Sequence, residues 1–171
     1  MTETWVFGHG SLMFRPGFDS ADVRWGRVDG LERRFGHPSI RNWGTPAAPA
    51  PTCCLIPGSS VDGLVFRLGS AADAILERIR LRESGTPAVV EVSVEGRRIR
   101  AFTWTMDGRW AGSSPDALAR HASVNVARGG GPSGDAADYL RGVAGALEEG
   151  PGLDPATAAY AAAFRTGTGR F

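Results

Sequence analysis

Trp5-Val6-Phe7-Gly8-His9-Gly10-Ser11-Leu12-Met13 carries more architectural information than any other segment of this chain. A short apolar run ends in two glycines separated by His9, and the Ser11 hydroxyl then precedes further apolar residues. The pattern predicts a first strand whose glycines turn the backbone sharply at its end and bring it close to another group. Two readings fit. Amides exposed at such a turn can hold an anionic or polar ligand without any charged side chain, or the glycines only ease a turn after an edge strand.

Working outward, Phe14-Arg15-Pro16-Gly17 reads as a turn, and the broken alternation of Val23, Trp25, Val28, Leu31 and Phe35 predicts a strand with an irregularity. From His37 to Ser60, five prolines and two glycines argue for a long loop with a short strand at Cys53–Ile56; loops of this length are binding loops, lids or disordered segments. Val61–Leu68 reads as a central strand. A helix from about Ala71 to Arg82 or just beyond, capped by Ser70, has the apolar face Ala72, Ile75, Leu76 and Ile79. Val90, Val92 and Val94 alternate with polar residues, Gly96 opens a reversal, and Ile99–Met106 returns as the partner strand.

Toward the C-terminus, Ser114-Pro115 starts a helix reaching about Ala127. The run Arg128–Gly134 is a break, and a poor phosphate loop, since it lacks the lysine and the preceding strand. Asp135–Glu149 is a helix with Leu140, Val143, Ala144 and Leu147 on its buried side, and Asp154-Pro155 starts a last one toward Phe164 before a loose tail. The sum is one α+β domain over residues 1–171 with a barrel-like sheet.

With 171 residues, 42% of them hydrophobic and 22% charged, the composition is that of an ordinary soluble domain. Nineteen basic side chains, all arginine, against 18 acidic ones leave a formal charge of +1, too small a field to collect nucleic acid or acidic lipid. No apolar run is long enough to span a bilayer. The opening residues lack the basic segment of a secretory signal, so a cytoplasmic setting is expected. Cys53 and Cys54 are adjacent, which suits neither a disulfide nor a zinc site, and they read as reduced structural thiols. The scattered His9, His37 and His121 give no metal-site spacing, so neither metal nor cofactor is expected. The sequence is silent on oligomeric state.

Glu83 stands four residues beyond Ile79 and eight beyond Ile75, so a continued helix puts a carboxyl at the next core-facing position. Desolvation there favours the neutral acid and suits it to general base and acid work near neutral pH. Alternatively the helix ends first, at the stop signal Ser84-Gly85-Thr86-Pro87, and Glu83 is solvated. Tyr139 borders the buried stripe of its helix, where its hydroxyl reaches either a pocket or a backbone group. Ser11 as a nucleophile with His9 or His121 as base is a further alternative, though the Gly-x-Ser-x-Gly elbow is missing.

The opening strand and its Gly10-Ser11-Leu12 resemble the start of the ChaC-type γ-glutamylcyclotransferases, where a strand leads into Tyr-Gly-Ser-Leu. Similar pieces follow in the family's order: Arg33-Arg34-Phe35, Gly44-Thr45-Pro46, Gly63-Leu64-Val65-Phe66-Arg67, Arg82-Glu83, and Gly134 leading to Asp138-Tyr139-Leu140. The resemblance implies a small mixed β-barrel with flanking helices and release of 5-oxoproline from a γ-glutamyl compound, glutathione among the candidates. By it, the catalytic glutamate falls on Glu83, the substrate-binding loop on Gly10, Ser11 and Leu12, and a tyrosine contacting ligand or the glutamate on Tyr139; Gly8 and His9, which run into that loop, are read with it as substrate-binding. The substrate's own amine is the nucleophile in this family, so no metal or cofactor is implied. Two departures stand out: His9 replaces the tyrosine before Gly-Ser, and Ala136 replaces an asparagine, which leaves the particular γ-glutamyl substrate open. A non-catalytic protein binding a γ-glutamyl ligand in the same pocket is the alternative of another class.

Overall fold

β1 (Thr4–Gly8) zips antiparallel onto the second half of β3 (Ala50–Leu68), Thr4 opposite Leu68 through to Gly8 opposite Leu64, in a computed structural model that describes residues 3–168. The chain forms two compact units: Pro57–Met106 with the chain up to Glu32, and Arg33–Ile56 with the chain from Asp107 onward. β2 (Asp22–Ser39) and β3 each contribute to both.

The first unit is built on a closed barrel in the order β1-β3-β2-β4-β5, with β4 over Thr86–Val94 and β5 over Arg97–Thr105. The β4–β5 hairpin turns at Glu95 (φ 48°) and Gly96 (φ 80°), two consecutive left-handed residues whose twist matches that of the flanking strands. Closure comes from a parallel pairing of β1 with β5, Val6 opposite Phe102, so the barrel is mixed, as the family resemblance implied. The side-chain period of two sends Phe7, Val65 and Val92 to one face. Gly26 makes room for them: a Cβ there would meet Val65 and Val92 at 2.6 Å.

On the other face lies α1 (Ala72–Arg82). Its stripe buries Ile75 and Ile79 among Val6, Leu12, Phe66, Leu68 and Trp104, with Ala72 and Leu76 partly covered, while Leu81, outside the stripe, is 65% exposed. Ala71 occupies the N-cap without a side-chain bond. Ser70 therefore does not cap the helix, which begins one residue later than the capping pattern requires.

The second unit packs the outer ends of β2 and β3 with α2 (Pro115–Ala127), α3 (Ala136–Glu148) and α4 (Pro155–Thr168). Ser114 caps α2 by accepting the Ala117 amide at 3.2 Å. Asp135 and Asp138 close a reciprocal capping box on α3, with aspartate in the place usually held by Glu or Gln. Asp154 caps α4 through the Thr157 amide at 2.9 Å and also pairs with the buried Arg33. The core packs Phe35 against Tyr160 with the rings tilted at 58° and their centres 4.8 Å apart. Asn125, wholly buried on α2, donates to Trp43 O (3.1 Å) and Ala48 O (2.8 Å) and accepts from the Ala136 amide (2.8 Å).

Two segments differ from their sequence reading. Residues 37–60 are not one long loop: β2 continues to Ser39 and β3 starts at Ala50. Pro38, Pro51 and Pro57 sit within strands, which proline can join where the ladder asks for no N–H. At the other end, α4 continues past Phe164 to Thr168; residues 169–171 of the expected tail lie outside the described residues.

Candidate active site

The sharp turn after β1 is forced by contact. A Cβ on Gly8 would lie 2.8 Å from Leu12 Cβ and 3.2 Å from the Phe66 ring, and one on Gly63 would lie 2.4 Å from Gly8 O. Two backbones thus meet where only glycines fit. Ser11–Met13 then form a single 3-10 turn. Gly10 O accepts from the Met13 amide (3.0 Å) and Ser11 O from the Arg15 amide (2.8 Å). The Ser11 and Leu12 amides precede the first bond of the turn, which therefore leaves them unused. Leu12 anchors the loop in the apolar cluster beneath α1. His9 is buried, its Nε2 3.2 Å from Trp104 O.

Glu83 is brought in from the helix side by a route the periodicity did not describe. α1 stops at Arg82, and Glu83 is its C-cap with φ −81° and ψ 131°, its amide still closing on Ile79 O at 2.8 Å. The helix does end before Glu83, yet the side chain is only 13% exposed. Burial pushes the carboxyl above the ordinary glutamate range, while the Arg82 guanidinium, with Nε 3.4 Å from Oε1, pulls it back in part.

A carboxyl with a raised folded value binds more protons in the native state, so its ionisation lowers stability as pH rises. Glu83→Gln removes that cost. The variant is expected to match the parent below about pH 4, under the ordinary glutamate value, and to melt higher above the raised value; equal melting at neutral pH would contradict a desolvated Glu83.

Arg82 joins these two pieces; in the sequence it stands out only as the residue before Glu83 in the Arg82-Glu83 piece of the resemblance. Its Nη2 donates to Ser11 Oγ (2.9 Å) and its Nη1 to Arg15 O (2.7 Å) and Pro16 O (2.8 Å). Arg78, one turn earlier, donates to Gly17 O at 3.1 Å. The first unit therefore holds Gly8, His9, Gly10, Ser11, Leu12 and Glu83, and the observed link between the loop and the carboxyl is Arg82, bonded to Ser11 and facing Glu83. Tyr139 belongs to the second unit, where it is 3% exposed, accepts the Cys53 amide at 3.0 Å and packs edge-on to Trp43. The hydroxyl's backbone partner is the one that the sequence left open beside a pocket contact.

A model of the ChaC-like protein family matches residues 4–156. The chain belongs to the ChaC-like family. Among curated relatives, this ChaC-like chain is 28% identical over 142 residues to a glutathione-specific gamma-glutamylcyclotransferase of Escherichia coli, covering 80% of the chain and 62% of the relative. It is 31% identical over 83 residues to glutathione-specific gamma-glutamylcyclotransferase 1 of Danio rerio, covering 47% of the chain and 42% of that protein. The ChaC-like chain thus spans less than two thirds of either relative's length. In fold it matches a crystal structure of a γ-glutamyl cyclotransferase specific to glutathione from yeast, with TM-score 0.86, 20% identity and 97% of both chains covered.

Within this ChaC-like site, Ser11 Oγ is bonded to a guanidinium, which cannot accept a proton, so that partner cannot activate it as a nucleophile. Cys53 is no better placed: burial pushes its thiol up to about 12, far from a reactive thiolate at neutral pH. Among the described residues no three His, Cys, Asp or Glu side chains are grouped to hold a metal ion, and no helix is long and apolar enough to cross a membrane.

Proposed function

We propose that this chain converts a γ-glutamyl compound, with glutathione the first candidate, to 5-oxoproline by intramolecular cyclisation, releasing the amine or peptide. Membership of the ChaC-like family supports the reaction class. The observation that carries the reading is the shielded Glu83 carboxyl, with its raised pKa, joined through Arg82 to the Ser11 loop.

In this reaction the substrate's α-amino nitrogen attacks its own γ-carbonyl carbon and closes a five-membered ring. Glu83 takes a proton from that nitrogen as the new C–N bond forms. It then delivers the proton to the departing nitrogen as the old amide bond breaks, so the carboxylate returns unchanged. The Gly8–Leu12 turn is assigned to the γ-glutamyl part, holding amine near carbonyl and offering amides to the developing oxyanion. His9 is assigned to the substrate as a polar contact, and a cytoplasmic setting belongs to the same proposal.

A panel of γ-glutamyl amides and peptides, glutathione included, assayed for 5-oxoproline tests the reading. At least one member is expected to turn over. Saturable binding without 5-oxoproline would overturn it in favour of a non-catalytic ligand-binding protein.

A further inference from the structure

We propose that Arg82 is a positioning residue that sets the substrate loop and the Glu83 carboxyl against each other through one side chain. The role rests on the cyclisation reading, but its geometry stands by itself. Three guanidinium bonds go to the loop, at Ser11 Oγ, Arg15 O and Pro16 O, while Nε faces Glu83 Oε1. A planar fork with fixed N–H directions meets such divergent acceptors at once, which an ammonium on a flexible stem does not. The loop is shaped to the fork as well: Gly17 adopts φ +75°, and a Cβ there would stand 3.3 Å from Arg82 Nη1.

Arg82 is also the charge that acts on Glu83. Of the other charged or titratable groups around it, Arg80 on α1 pairs with Glu77, Arg78 reaches Gly17 O, the Arg15 side chain is exposed, and His9 is held at Trp104 O. Glu83 itself is raised by burial and lowered by Arg82. One side chain thus fixes where the base stands and how readily it ionises.

The two roles separate by substitution. Arg82→Met removes both fork and charge, Arg82→Lys keeps the charge, and Arg78→Met removes a loop contact with none to Glu83. The Glu83 carboxyl is followed by NMR titration in glutamate-labelled protein, with Glu83→Gln assigning the signal, and the loop by amide exchange over residues 11–17. With Arg82→Met, Glu83 is expected to titrate higher than in the parent, loop exchange to quicken and kcat/KM to fall about 10- to 100-fold. Arg82→Lys should return the titration toward the parent value while the loop stays loose; Arg78→Met should leave the titration unmoved. If Arg82→Met does not fold, the Lys variant carries the test through its quickened loop and parent-like titration. An unshifted Glu83 in Arg82→Met, or loop exchange at the parent rate in Arg82→Lys, would overturn the proposal. Because neither readout needs turnover, a parent protein that makes no 5-oxoproline would defeat the functional reading and leave this one to be judged separately.

Discussion

Glu83→Gln is expected to lower turnover of a γ-glutamyl substrate by about 10² to 10⁴, the usual weight of a general acid–base group, with the fold retained. Glutamine keeps the shape of the side chain and a hydrogen-bonding tip but cannot cycle a proton between the two nitrogens. The change also relieves a charge that burial disfavours, so lost activity cannot be put down to a weakened fold: the variant should melt no lower than the parent at neutral pH. Substrate binding should change little, because the loop contacts of Arg82 do not run through Glu83. The loss should therefore appear in kcat rather than KM. Near-parental kcat in a folded variant would remove Glu83 from the chemistry.

The largest effect on stability is expected away from the chemistry, at Asn125. Its side chain satisfies three buried backbone groups, Trp43 O, Ala48 O and Ala136 N–H. Asn125→Ala leaves all three without that partner, each buried group costing about 1–3 kcal/mol when unmade. Allowing for relaxation, a loss of about 3 kcal/mol or more is expected, which for a chain of this size lowers Tm by about 6–12 °C. Asn125→Asp retains the acceptor for Ala136 but turns an oxygen toward two carbonyls, and should be no better tolerated. A change within about 0.5 kcal/mol, as for an ordinary surface substitution, would contradict this role. Chemical denaturation measures it.

How far the sequence reveals these features depends on how local their causes are. The Ser114-Pro115 start of α2 and the Glu95-Gly96 reversal follow from residues acting on their own backbone, and both regions could be read directly. The barrel could be anticipated from strand alternation and the resemblance, but its closure through β1 and β5 is a long-range pairing that no window of residues contains. The prolines between His37 and Ser60 obscured two strand ends for the same reason: pairing outweighed local propensity there.

Glu83 is instructive because spacing singled out the residue through a geometry that the helix does not adopt. The helix ends at Arg82, and an extended C-cap keeps the side chain largely covered. Asn125 could have been found: with Leu118 and Ala122 it continues the buried face of α2 at helical spacing, and an amide there must have partners. Arg82 entered the sequence reading only as the neighbour of Glu83 in the resemblance, and its bonding could not be read there, because its acceptors lie 66 to 71 residues earlier in the chain.

The most direct test of cyclisation is the fate of solvent oxygen when the protein acts on glutathione in heavy-oxygen water. Ring closure by the substrate's own amine should yield 5-oxoproline free of solvent oxygen, in equal amount with cysteinylglycine. Glutamate carrying a solvent oxygen in its γ-carboxyl would mean that water, not the amine, attacks, and would contradict the chemistry assigned to Glu83.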